Sequence, residues 1–269
     1  AVEVLTQKYR IEDIHDGDVF IANDPYTGGG SHLPDIVLLK PVFYQGKLVT
    51  QALPIGTVLT IAAAGSEGSP DSVITYEDGM FKRGATGEGL RPKFTILNPA
   101  LTQTLPPYQT ACGITDIMAH LYERYLTNTT DVECTDRVIE ALMLTMINEA
   151  PKVMADPNDY QARANIMWAG MIAHNNCCGV GRTQDWASHN IEHELSAVYD
   201  CAHGAGLAVV FPAWMEYTMN HDVMRFAQVA NRVWGCAMDF QHPEVTAKAG
   251  IAAFRAFLRS IGMPQTLAE

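Results

Sequence analysis

Residues 184–204 read QDWASHNIEHELSAVYDCAHG and carry His189, His193 and His203, three of the nine histidines in the chain. On a helix His189 and His193 lie one turn apart on the same face, so both rings can approach one point. His203 cannot join them on a straight helix. The fourteen residues from His189 would span about 21 Å, whereas ligands of one ion lie within about 4 Å of each other. A shared ion requires the helix to end before His203, and YDCAHG permits that because Asp200 and Gly204 are turn-prone residues. Three readings stand side by side for this stretch: a metal site, a proton relay, or an amphipathic helix that happens to carry imidazoles. The spacing in HNIEH is not the HExxH pattern of a zinc protease, so that class is a poor fit.

A second i,i+4 pair lies upstream in TACGITDIMAHLYERY (110–125), where Asp116 and His120 share a helix otherwise lined with Ile114, Ile117, Met118 and Leu121. An unpaired carboxylate on an apolar face costs several kcal/mol, so Asp116 is exposed, paired or bound to a metal. Together Asp116, His120, His189 and His203 would make a shell of three nitrogens and one oxygen suited to divalent iron or zinc. His193 would then be left over beside the metal, free to titrate near neutral pH.

The rest of the sequence sets bounds on these readings. With 269 residues and 48% hydrophobic side chains the chain can bury a sizeable core, and a globular, soluble protein is expected. Eighteen Lys+Arg against thirty Asp+Glu give a formal charge of -12, which disfavours nucleic acid and anionic membrane surfaces as partners. The six cysteines form no CxxC pair and no signal peptide opens the chain, so a disulfide framework is not expected and a reducing cytoplasm is. The apolar run Leu207–Met215 is too short to span a bilayer and contains Pro212, so no membrane segment is expected. The chain starts at Ala1 and ends at TLAE, which is consistent with a fragment at either end.

Residues 16–60 alternate β-branched runs with Gly/Pro/Asn/Asp turns and read as short strands; the glycine-rich AAAGSEGSPDS (62–72) and the strand-like VITYEDG (73–79) follow. Helical periodicity takes over after Pro106-Pro107, as in Val138, Ile139, Leu142 and Met146. Further helices are expected in NDYQARANIMWAGMIAH, with Asn158 as N-cap, and in HPEVTAKAGIAAFRAFLRSIG, stopped by Gly262. The expected fold is mainly α with a β-rich N-terminal part.

GVGRTQDWASHNIEHELSAVYDCAHGAGLAVVFPAWMEY (179–217), TLPPYQTACGITDIMAHLYERY (104–125) and LPIGTVLTIAAAGSEGS (53–69) resemble the iron-containing (group III) alcohol dehydrogenases, in particular the butanol-dehydrogenase-like branch. The resemblance runs from about Gln51 to the C-terminus. It implies a dehydroquinate-synthase-like fold in which a helical metal domain follows a nucleotide-binding half. It implies an aspartate and three histidines as ligands of Fe2+ or Zn2+, falling on Asp116, His120, His189 and His203, with the non-ligand catalytic histidine on His193. Thr60, Ser66 and Lys82 match positions that line the cofactor cleft. The activity implied is hydride transfer between a primary alcohol or aldehyde and NADH or NADPH, with the metal as Lewis acid. A homo-oligomer is expected.

DGDVFIANDPYTGGGSHLPDIVLLKPVF (16–43) resembles instead the hydantoinase B/oxoprolinase and acetone carboxylase family, over about Asp16 to Val49. That resemblance places a metal-site histidine and aspartate on His32 and Asp35, but no histidine occurs between His32 and His120, and a turn between two strands is the favoured reading. The GGGS at 28–31 is followed by Pro34 and IVLL, which argue against a phosphate-binding helix. The expected organisation is a hydantoinase-B-like segment over 1–49, a remnant of the nucleotide-binding domain over 50–106 and a helical metal domain over 107–269. The chain therefore reads as a chimera or fragment whose dehydrogenase activity is impaired. A catalytically silent metal-binding remnant and a hydantoinase-B-type subunit that needs partner chains are the alternatives.

Overall fold

The computed structural model describes residues 20–22, 37–39, 54–76 and 79–269. Six short strands precede seven helices among the described residues. The first pair, β1 (Phe20–Ala22) and β2 (Val37–Leu39), is antiparallel with Phe20 opposite Leu39. His32, Asp35, the GGGS motif and most of the expected β-rich segment lie outside the described residues. Farther on, β3 (Gly56–Val58) and β6 (Phe94–Ile96) pair in parallel, and β4 (Asp71–Tyr76) and β5 (Phe81–Thr86) form an antiparallel hairpin.

The helical block begins at α1 (Pro107–Tyr125), with a proline in the first turn where a backbone N–H has no helical partner anyway. Every residue from Thr110 to Tyr125 is buried, which makes α1 the axis of the core. A helix buried all round is ordinarily apolar all round. Here Asp116, His120, Glu123 and Arg124 break that rule, and each needs a partner. Around α1 pack α2 (Glu133–Ala155), α3 (Tyr160–His174) and α5 (His203–Thr218). Helix α4 (Ala187–Tyr199) lies against α5. At the far end, α6 (Val223–Arg232) packs on α7 (Pro243–Ser260), and Tyr122 of α1 meets Phe254 of α7 at 4.9 Å between ring centres.

Local signals account for most boundaries. Gly262, just after α7, has φ +81°, the left-handed geometry expected of a glycine stop. The expected cap at Asn158 is corrected to the next residue: Asp159 is the N-cap of α3 and its carboxylate accepts from the backbone N–H of Ala162. Asp and Asn cap equally well, so composition alone could not choose between neighbours. Among the described residues no helix is long and apolar enough to cross a membrane.

Candidate metal centre

The break that the histidine spacing demands is present. Helix α4 ends at Tyr199, Asp200 takes the left-handed conformation with φ 52°, and α5 starts at His203. Asp is one of the few L-residues that enter this region at low cost, so the chain turns there without a glycine. The expected second turn residue, Gly204, has another role: it lies inside α5, and a Cβ at that position would sit 2.1 Å from the backbone oxygen of Cys112. Its missing side chain lets the start of α5 close onto α1 and carries His203 to the face that holds Asp116.

Three imidazoles converge on one carboxylate oxygen. Oδ1 of Asp116 lies 3.6 Å from Nδ1 of His120, 3.4 Å from Nε2 of His189 and 3.7 Å from Nε2 of His203. Ligands at about 2.1 Å from a tetrahedral ion stand roughly 3.4 Å apart, so these separations are those of a coordination shell. The ligand atoms of Asp116, His120 and His189 all fall within 4.8 Å of one another, and His203 adjoins them through Asp116. Oδ1 of Asp116, Nδ1 of His120 and Nε2 of His189 are buried and make no hydrogen bond. Three orphaned polar atoms that face one another are costly unless a cation stands between them. The residues present therefore fit a divalent ion.

Two carboxylates that the sequence reading missed stand behind the imidazoles. Oε1 of Glu123 is 3.0 Å from Nδ1 of His189 and also accepts the backbone N–H of that residue at 3.1 Å. Oε2 of Glu192 is in contact with Nδ1 of His203. Glu123 and Glu192 are fully buried. Each holds a histidine so that its other nitrogen faces inward, the carboxylate–histidine arrangement typical of metal sites. Their spacing was the available signal: Glu123 and Glu192 each follow a candidate ligand by three residues on the same helix.

Electrostatics agree with a cation in this position. Burial works to raise Asp116, but the surrounding histidines hold its carboxyl well below the usual range. Burial opposes charge on His189, yet Asp116 and Glu123 outweigh it and lift the imidazole to about 9. His120, with less help from carboxylates, is driven by burial well below the usual histidine value. Three buried carboxylates around three imidazoles leave a site that favours added positive charge.

His193 is half-buried, with its ring centre 5.3 Å from that of His203 and 6.3 Å from that of His189. Burial, then the charges of His203 and Lys82, push it down to about 3, so it is neutral at physiological pH. His193, His203 and Glu192 form a second group whose ligand atoms lie within 4.8 Å of one another. Of the three candidate cofactor residues, Lys82 reaches the centre. From β5 its Nζ donates to Oγ of Ser196 at 2.8 Å and lies 3.9 Å from Oε2 of Glu192. Thr60 is half-buried after β3, and Ser66 is exposed in the turn of the glycine-rich loop.

An all-helical block surrounds a buried aspartate and three histidines whose arrangement fits a divalent ion, with the short strands beside it. Residues 110–269 match the C-terminal domain model of the Fe-containing alcohol dehydrogenase family, and the chain belongs to that family. Residues 1–83 match the hydantoinase B/oxoprolinase model, a longer span than the 16–49 motif suggests. NADH-dependent butanol dehydrogenase B of Clostridium acetobutylicum is 40% identical over 236 residues, 87% of this chain and 59% of the relative. NADPH-dependent aldehyde reductase YqhD of Escherichia coli is 37% identical over 83% of this chain and 57% of its own length. The crystal structure of YqhD superposes with a TM-score of 0.80. That of an NADH-dependent butanol dehydrogenase A from Thermotoga maritima gives 0.79 at 38% identity, covering 82% of this chain and 55% of that one. The chain thus spans 59% of the butanol dehydrogenase B and 57% of the aldehyde reductase it matches.

Proposed function

We propose that this chain is a metal-dependent alcohol dehydrogenase or aldehyde reductase, with Asp116, His120, His189 and His203 as ligands of Fe2+ or Zn2+ and NAD(P)H as hydride carrier. The observation that carries the reading is the set of buried, unbonded ligand atoms around Oδ1 of Asp116. Residues 1–49, 50–106 and 107–269 are taken as hydantoinase-B-like segment, nucleotide-domain remnant and metal domain. A primary alcohol or aldehyde as substrate, a homo-oligomer and a cytoplasmic setting are inferred from the dehydrogenase relatives.

A bound divalent ion supplies Lewis acidity toward the alcohol oxygen. This chain supplies the rest. Glu123 and Glu192 fix the rings of His189 and His203. His193, neutral and beside both, accepts the hydroxyl proton at a ring nitrogen and passes it outward, since it is only half-buried. Lys82 brings the β4–β5 hairpin against α4, so that Thr60, Ser66 and Lys82 border the cofactor from one side. The pyrophosphate side is weaker, because residues 1–83 match the model of another family. That favours a second reading, a metal-binding domain with little turnover. A hydantoinase-B-type subunit is the remaining alternative; it predicts that residues 1–49 recruit a partner chain.

The test is metal content. Purified protein should hold close to one equivalent of iron or zinc, and His189→Ala and His203→Ala should each lose it. Unchanged content in both variants would remove the ligand assignment.

A further inference from the structure

A further buried imidazole lies against the centre without belonging to it. His174 closes α3, and its ring stacks on His120 with centres 4.1 Å apart and planes tilted by 30°. Its Nδ1 is 2.9 Å from Nη2 of Arg124 and its Nε2 is 3.2 Å from Oδ2 of Asp71. A guanidinium only donates, so Nδ1 must accept. The ring therefore carries its proton on Nε2 and donates it to Asp71. Both nitrogens are spent, and neither is available to an ion.

The partners of His174 come from three other parts of the chain. Arg124 sits one turn beyond His120 on α1 and donates through Nη1 to the backbone oxygen of His120 at 3.1 Å. Its guanidinium covers the ring of Trp186 at 4.7 Å, and Trp186 turns toward His120, His174 and His189 at 5.9, 5.7 and 5.2 Å. Asp71 opens β4, the hairpin that also delivers Lys82. On the remaining side Gly65, with φ +61°, brings the glycine-rich loop so near that a Cβ there would lie 2.6 Å from Cβ of His174. A buried imidazole costs free energy unless both nitrogens are satisfied, and an aliphatic residue would fill the space without that cost. What the imidazole adds is a fixed ring plane, set by two hydrogen bonds of opposite sense.

We infer that His174 is a positioning residue of the metal centre, held by Arg124 and Asp71 so that its ring face fixes the plane of His120. The inference rests on the ligand set proposed above. His120 faces Asp116 with Nδ1, and among the described residues no carboxylate stands behind its Nε2, whereas the outward nitrogens of His189 and His203 have Glu123 and Glu192. Stacking on a ring that cannot rotate takes the place of the missing carboxylate. It also ties the ligand to the β4–β5 hairpin and the glycine-rich loop, through Asp71 and Gly65.

The experiment measures Zn2+ affinity by chelator competition, and the visible absorption of the Co2+-loaded chain, in the parent and in His174→Leu, Asp71→Ala and Asp71→Asn. Loss of an outer partner of a ligand lowers metal affinity by about 10- to 100-fold. His174→Leu should weaken Zn2+ binding within that range and shift the Co2+ bands. Asp71→Ala should act in the same direction by a smaller factor, and Asp71→Asn, which still accepts from Nε2–H, should restore the parent values. Asp71 is partly exposed, so its variants carry the test if His174→Leu does not fold. Unchanged affinity and unchanged Co2+ bands in folded His174→Leu, or in Asp71→Ala, overturn the inference. Retention of Zn2+ by both His189→Ala and His203→Ala would instead overturn the ligand set beneath it.

Discussion

Asp116 gathers its neighbours by charge and geometry together: a buried carboxylate whose Oδ1 makes no hydrogen bond is tolerable only where cationic groups or an ion surround it. His193 stands beside this shell and outside it. In the His193→Ala protein the metal content should equal that of the parent, while turnover of the loaded chain falls by about 100-fold, the usual scale of a lost proton acceptor. An ion lost from His193→Ala but kept by His203→Ala would mean that the two residues have exchanged roles, with His193 the ligand and His203 beside the ion. Glu67 permits a separate prediction. It is buried in the glycine-rich loop with Oε2 unpaired, and burial pushes its carboxyl from 4.5 up to about 7. The folded state thus holds this proton more tightly than the unfolded chain. Its contribution is complete below pH 4.5 and is lost as the pH rises through about 7, on the order of 3 kcal/mol in all. Glu67→Gln should flatten that part of the stability profile and be the more stable protein at about pH 8, as read by urea unfolding across the range. Equal slopes for the two proteins would rule this out.

At the scale of elements, the centre depends on two helices that stop and start in the right places. Helix α4 carries His189 and His193, Asp200 ends it in the left-handed region, and α5 carries His203 back toward α1. The close approach of α5 and α1 leaves no room for a methyl group at Gly204, where the obstacle is backbone of Cys112 rather than a side chain that can rotate away. Gly204→Ala should therefore destabilise the fold by about 1–3 kcal/mol, seen as a lower urea midpoint at constant slope. The same variant should bind Zn2+ more weakly, because the displaced turn carries His203. A parent-like midpoint would show that the crossing is looser than these contacts imply. The other end of the bundle is pinned by charge: Asp136 of α2 accepts from Arg182 at 2.7 Å and from Arg225 of α6 at 2.5 and 2.7 Å. Arg182 also donates to the backbone oxygen of Arg124 at 2.5 Å, which links this ion cluster to the helix that carries Asp116 and His120.

For the whole molecule, the proposed metal half and the proposed cofactor half stand on unequal footing. The described strands place Lys82 at the centre, but hydride transfer also needs the nicotinamide held about 3–3.5 Å from the alcohol carbon, a positioning that supplies several kcal/mol of the barrier. A helix N-terminus that cradles the pyrophosphate is the usual means, and Pro34 works against one after the GGGS motif. The metal-loaded chain should oxidise butanol slowly with either NAD or NADP, and calorimetric titration should give weak binding of each. Micromolar cofactor affinity with turnover in the ordinary enzyme range of about 1–1,000 per second would mean that the N-terminal segment builds a working nucleotide site.

Local pattern alone determined a good deal of this. The prolines at 106 and 107 mark the start of α1, Gly262 the end of α7, and two i,i+4 pairs select Asp116, His120, His189 and His193 as residues that share helix faces. The sequence also states a condition, a helix break between His193 and His203, and Asp200 meets it. These features are legible because helix caps, turns and one-turn spacings are short-range properties of the chain. Tertiary structure alone decided which side chains stand behind them. Glu123 reaches across 66 residues to His189, Arg124 across 50 to His174, and Lys82 across 114 to Ser196. Such partners depend on how helices cross and how closely backbones approach, as at Gly204 and Gly65, and neither is encoded in the periodicity of any one segment.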